Sequence, residues 1–181
     1  MSKPATKTTV PRLSLKGFKT VRWMSEETIC FTATLLLDGK PVAVASNEGH
    51  GGSTFLHYSN KDAEAVVDSI ASSLEPEEYG WGFLNQYGKR LSAADVVDIL
   101  VEIEDKKKGQ EKLLKKMRKA GVECLAYLTK DAKSGEYRAF RKGAVTDLNR
   151  QKYTDGIKAK PDFLRFVSDM SDAEILAHFA A

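Results

Sequence analysis

Apolar and polar residues alternate with period two near the N-terminus. Leu13 and Leu15 oppose Arg12, Ser14 and Lys16, which predicts a short half-buried strand. The pattern is clearest in Ile29, Phe31, Ala33, Leu35 and Leu37, and it resumes at Val42 and Val44 after Asp38-Gly39. Asp-Gly between alternating runs signals a type I′ hairpin, because both central residues need positive φ. Pro41 has no N–H to give to a ladder, so the returning strand is expected at a sheet edge. "STFLHYS" then adds a further strand and completes an antiparallel meander.

Beyond Asn60 the period changes. Ala63, Val66, Val67, Ile70 and Leu74 recur at three- and four-residue steps, an apolar helical stripe with Asn60 as its cap. Ser92 and Asp95 resemble a capping box, and Val96, Val97, Ile99, Leu100 and Ile103 start a second helical stripe. That stripe resumes at Leu113, Leu114 and Met117. Between them "DKKKGQEK" has no apolar residue, and Gly109 costs about 1 kcal/mol in a helix interior. One long helix weak at its middle, or two helices meeting near Gly109, are both compatible with this. Gly121 is placed to end it as a C′ residue. "VECLAYLTK" and "EYRAFRK", joined by "DAKSG", predict a second hairpin. A turn at Lys158–Pro161 leads into the last helices, and Ser171 with Glu174 forms a capping box before "ILAHFAA".

Strands and helices are segregated rather than alternating, which predicts an α+β fold. It comprises an N-terminal antiparallel β-meander with a packed helix, then a long basic helix, a β-hairpin and C-terminal helices. The expected divisions are a disordered tail over 1–11, a sheet-plus-helix region over 12–91, and a region over 92–181 that is either separate or continuous with it.

Charge changes this picture because it is local. The 181 residues carry a net charge of +3. Residues 1–90 hold 10 basic and 10 acidic side chains, whereas residues 106–142 hold 13 basic and 4 acidic ones. Lys108, Lys112, Lys115 and Lys119 share one face of the expected helix, joined by Lys116 and Arg118. The hairpin adds Arg138, Arg141 and Lys142 beside Tyr137 and Phe140. Such a surface suits nucleic-acid phosphates or an acidic protein surface. The plainer alternative is a solvated lysine face that favours solubility.

The other candidate is the loop "SNEGHGGSTF". Asn47, Gly49, His50, Gly51, Gly52 and Ser53 could offer successive backbone amides to an anion, with His50 as a weak candidate for acid–base chemistry. The loop matches neither dinucleotide-binding nor P-loop spacing and leads into a strand, so connecting two strands is its plainer role. The aromatic group Tyr79, Trp81, Phe83 and Tyr87 reads as core rather than as a base-stacking platform. Cys30 and Cys124 fit no disulfide framework or metal motif, and with three histidines no metal site or cofactor is expected. No apolar run is long enough to span a bilayer, and the polar, basic N-terminus does not read as a signal peptide. A cytoplasmic location is therefore expected, with no membrane partner.

The segment "LKGFKTVRWMSEETICFTATLLLDGKPVAVASNEGHGG" resembles the opening of small uncharacterised proteins of phages and other mobile elements. Gly17-Phe18-Lys19-Thr20, the Phe31 strand, Asp38-Gly39-Lys40 and Gly51-Gly52 carry the resemblance. It implies a phage accessory protein acting in the host cytoplasm, of the kind that blocks nucleic-acid-targeting defence complexes, including CRISPR-type ones. It brings no catalytic residues. The leading expectation is thus a non-enzymatic binding protein, a counter-defence inhibitor docking through its basic helix and hairpin on nucleic acid, a nucleoprotein complex or an acidic protein surface. A small enzyme or nucleotide binder centred on Asn47–Ser53, or a structural adaptor, are the alternatives.

Overall fold

The computed structural model of the chain describes residues 7–180. It is an α+β protein whose first part is a four-stranded antiparallel meander. Strands β1 (Leu13–Thr20), β2 (Phe31–Leu37), β3 (Lys40–Asn47) and β4 (Phe55–Tyr58) lie in the order of the sequence. The β2–β3 turn is the predicted one, with Asp38 at φ 49° and Gly39 at φ 79°. Phe31, Ala33, Leu35, Ala43 and Ala45 point to one face and are buried there. Helix α1 (Lys61–Ser73) covers that face with Ala63, Val67 and Ala71, and Asn60 caps it by accepting a bond from the Ala63 amide.

Helix α2 (Ala93–Glu123) is continuous through Gly109. Its first turns add Val96, Val97, Leu100 and Val101 to the core under the sheet. Ser92 and Asp95 exchange the capping-box bonds read from the sequence. The chain divides into two units that meet between Lys106 and Lys107, inside α2.

The second unit contains the rest of α2, then β5 (Tyr127–Thr129), α3 (Arg150–Lys158), β6 (Phe163–Phe166) and α4 (Asp172–Phe179). Met117, Ala126, Leu128, Val167, Met170 and Ile175 form one small core, and Leu125, Tyr127, Ile157 and Phe166 form another. The capping box of α4 is present, with Ser171 and Glu174 each bonding the other's backbone amide.

Four local expectations are corrected. Strand β5 pairs with β6, Tyr127 facing Phe166, and "EYRAFRK" contributes a single bridge between Tyr127 and Arg138. The Tyr127 amide and carbonyl still exchange bonds with Arg138 at 2.8 and 2.9 Å on one edge of β5, while β6 on the other brings Phe163 and Phe166 onto the Tyr127 ring. Pro41 lies on an inner strand, but at a register shift next to Leu36 and beyond the reach of β4, which begins pairing at Ala43. Its missing N–H therefore interrupts no ladder. Gly121 does not end α2. It lies inside the helix, where a Cβ would come 3.0 Å from the Ser168 backbone nitrogen, and the chain leaves the helix at Leu125, φ 47°. Of the tail expected over 1–11, residues 1–6 lie outside the described residues. Val10 is buried in the core, and the Lys7 amide donates to the Glu78 carbonyl at 2.8 Å.

Candidate functional site

In the second unit, α2 buries Met117, packs Gly121 on Ser168 and half-buries Leu113 and Leu114. At 100° per residue this forces Lys108, Lys112, Lys115, Lys116 and Lys119 into an arc of about 100° on the opposite side. Lys112, Lys115, Lys116 and Lys119 are exposed, and Lys108 is half-buried. Like charges so close repel, a cost of a few tenths of a kcal/mol per i,i+4 pair that an anionic partner would relieve.

The nine basic residues singled out in the sequence are not equivalent. Arg118 lies off the arc and braces the start of α4, its Nη2 donating to Asp172 Oδ1 at 2.6 Å and its Nη1 to the Ser168 carbonyl at 3.4 Å. Arg138 is committed to Asp162 at 3.2 Å, and Lys119 lies 3.7 Å from Glu123, one turn on. Lys112, Lys115, Lys116, Arg141 and Lys142 make no ion pair or side-chain hydrogen bond among the described residues. Arg141 and Lys142 lie in an irregular exposed segment rather than on a strand.

In the first unit the glycine loop is closed by its own bonds. Asn47 is 6% exposed; its Oδ1 accepts from the Gly49 amide and from Thr28 Oγ1, both at 2.8 Å, and its Nδ2 donates to the Gly52 carbonyl at 2.9 Å. The Gly51 amide donates to Thr28 Oγ1 at 3.3 Å. The three successive amides of Glu26, Glu27 and Thr28 converge on the Gly49 carbonyl at 3.0, 3.0 and 3.3 Å. The anion-nest geometry is therefore present, but the donors are residues 26–28 and a carbonyl of this chain occupies it. Gly49 is required here, because at φ 91° a Cβ would collide with the Met24 carbonyl. His50 Nδ1 sits 3.1 Å from Glu26 Oε2, with both side chains exposed. Ser53 is exposed, with no side-chain bond among the described residues.

Beside the loop lies a cleft of about 420 Å³, whose lining includes Glu26, Glu27, Asn47, Trp81, Asp98 and Glu102. Thr54 Oγ1 donates to Asp98 Oδ1 at 2.5 Å and also stands 3.4 Å from Asn47 Nδ2, so a polar chain, buried at Asn47 and Thr54 and half-buried at Asp98, runs from β3 to α2. Burial pushes the Asp98 carboxyl above its ordinary value, and the Thr54 bond and nearby Asp95 and Glu102 modulate it. The sequence reading missed Asp98 because it lies in an apolar helical stripe, 44 residues from its partner Thr54. Of the aromatic group read as core, Tyr79 is buried, whereas Phe83 and Tyr87 are 54% and 71% exposed. Gly80 and Gly88, both left-handed, end short helical turns there and leave those two rings outside.

No protein-family model, curated protein or solved structure matches the chain. Among the described residues, no helix is long and apolar enough to cross a membrane.

Proposed function

We propose that this is a non-enzymatic binding protein that takes up nucleic acid, alone or in a nucleoprotein complex, on the lysine arc of α2. The observation that carries the reading is the exposed set Lys112, Lys115 and Lys116, held out by a packed opposite face and without carboxylate partners among the described residues. Lysines on a regular helix track phosphates as point charges and read no bases, so binding is salt-dependent and tolerant of sequence. The resemblance to mobile-element proteins makes a host nucleic-acid-targeting defence complex the natural partner in this reading.

The test replaces Lys112, Lys115 and Lys116 by Gln together. The variant keeps the wild-type circular dichroism and melting temperature. Its affinity for a duplex falls, and the slope of log affinity against log salt flattens by about three. Wild-type affinity that barely changes between low and moderate salt overturns the proposal. Capture of a host complex that survives nuclease treatment and the triple substitution transfers the reading to a protein surface elsewhere.

A further inference from the structure

The outward face of the meander carries a second surface. Strand β1 pairs with β2 through Lys16–Thr34 and Lys19–Thr32, so two residues on β1, Gly17 and Phe18, oppose Ala33 alone on β2. Gly17, at φ 67°, is the extra residue of this bulge. Strict alternation from Leu13 and Leu15 would aim Lys19 at the core. The bulge instead turns Phe18 inward, 6% exposed against Phe31, and sends Lys19 to the same outer face as Lys16.

The register continues both lysines across the sheet. One row reads Lys19, Thr32, Ser46, Phe55 and the next reads Lys16, Thr34, Val44, His57. All eight alternate with the more buried positions of their strands. Phe55 is 68% exposed and Val44 55%, and a shallow depression of about 190 Å³ lies among Lys19, Thr32, Thr34 and Val44. An open antiparallel face is ordinarily polar, so an exposed phenyl ring on it is the informative departure. No carboxylate stands among the eight positions, although residues 1–90 carry as many acidic as basic side chains.

We infer that this face binds single-stranded nucleic acid. Phe55 and His57, both exposed and without a ring contact among the described residues, lie two residues apart on β4, about 7 Å, a spacing that suits two successive bases. Lys16 and Lys19 stand about 14 Å away across the rows, where flexible stems meet phosphates of the same strand. Thr32, Thr34 and Ser46 set hydroxyls between, able to donate to and accept from sugars and base edges. A duplex keeps its bases stacked on one another and cannot use the rings, so the chemistry selects an unpaired strand. This surface shares no residue with the lysine arc of α2, and it stands or falls separately.

The experiment measures anisotropy of a labelled oligothymidylate of twelve nucleotides, and of a duplex of equal length, on the full chain. Phe55→Ala with His57→Ala lowers single-strand affinity by about tenfold or more, leaves the salt slope unchanged, and does not alter duplex binding. Phe55→Trp with His57 retained restores or exceeds wild-type affinity. Lys16→Gln with Lys19→Gln lowers affinity and flattens the single-strand salt slope by about 1.4. The Lys112, Lys115, Lys116→Gln variant keeps single-strand binding that is sensitive to Phe55→Ala. Absence of single-strand binding by the wild type, indifference to the ring substitutions, or complete loss in that α2 variant each overturns the inference. A concentration-dependent dimer that Phe55→Ala dissolves, in place of oligonucleotide binding, overturns it as well.

Discussion

The two units hold themselves together differently. The first has one large apolar cluster, in which Leu35, Val67, Val96 and Val97 are fully buried between the sheet, α1 and the start of α2. The second has two small clusters, and charge-assisted bonds brace its C-terminal segment. Arg118 holds Asp172, Arg165 holds Glu174, Arg138 holds Asp162, and Lys160 donates to the Tyr127 hydroxyl at 3.0 Å. The first unit has exposed ion pairs of its own, Arg12–Asp38 and Lys7–Glu78 among them, so the difference lies in how much apolar surface each core buries. The most basic part of the sequence spends several of its cations on its own fold, so a count of charges overstates the surface open to an anion.

The contrast breaks first under truncation of the cores. Leu35→Ala in the large cluster is expected to cost about 4 kcal/mol, and Ile175→Ala in the small one about 2, because a small cluster near solvent relaxes more readily. Urea denaturation checks this, and equal costs would remove the distinction. Gly121→Val comes next. The added side chain meets the Ser168 backbone, and the melting temperature falls by several degrees although a helical glycine has been replaced.

Two carboxyls then give opposite pH signatures, one in each unit. Arg165 and the Ser171 amide and hydroxyl hold Glu174 at about 2, below its ordinary 4.5. Its ionised form therefore contributes stability that is present above about 4.5 and lost as pH falls through about 2. Glu174→Gln is expected to melt below wild type at neutral pH, with the gap closing in that acid window. Asp98 is raised by burial, so its contribution is full only below its ordinary value of 3.8 and is lost as pH rises through its higher folded value. Asp98→Asn, whose amide oxygen still accepts from Thr54, is expected to melt above wild type at pH 7, with the difference shrinking on acidification. Thermal melts across pH separate the two, and a common sign would show that burial does not govern Asp98. The smallest effect belongs to Gly109→Ala. It meets nothing within 4 Å and is expected to stabilise by up to about 1 kcal/mol, read as a slightly higher melting temperature.

Local pattern was legible wherever the physics is local. The Asp38-Gly39 turn, the Asn60 cap, the α1 stripe and the Ser171–Glu174 box each depend on residues a few positions apart, and each formed as read. The lysine arc was legible for the same reason, since helical spacing alone places Lys112, Lys115 and Lys116 together.

What the tertiary structure decided involves partners far apart in sequence. Strand β5 kept its nearby candidate "EYRAFRK" only through Tyr127 and Arg138, and on its other edge it took β6, whose Phe163 and Phe166 pack on Tyr127. Arg118 and Arg138 left the candidate surface once Asp172 and Asp162 came within reach. Asp98 became a half-buried, bonded carboxylate only when Thr54, the residue before β4, met α2. Lys19 faces outward because pairing with β2 placed the bulge at Gly17, reversing the alternation that the residues before it establish. Periodicity reports which face of an element is apolar. Which distant group meets that face is settled by competition for burial and hydrogen bonds across the whole fold.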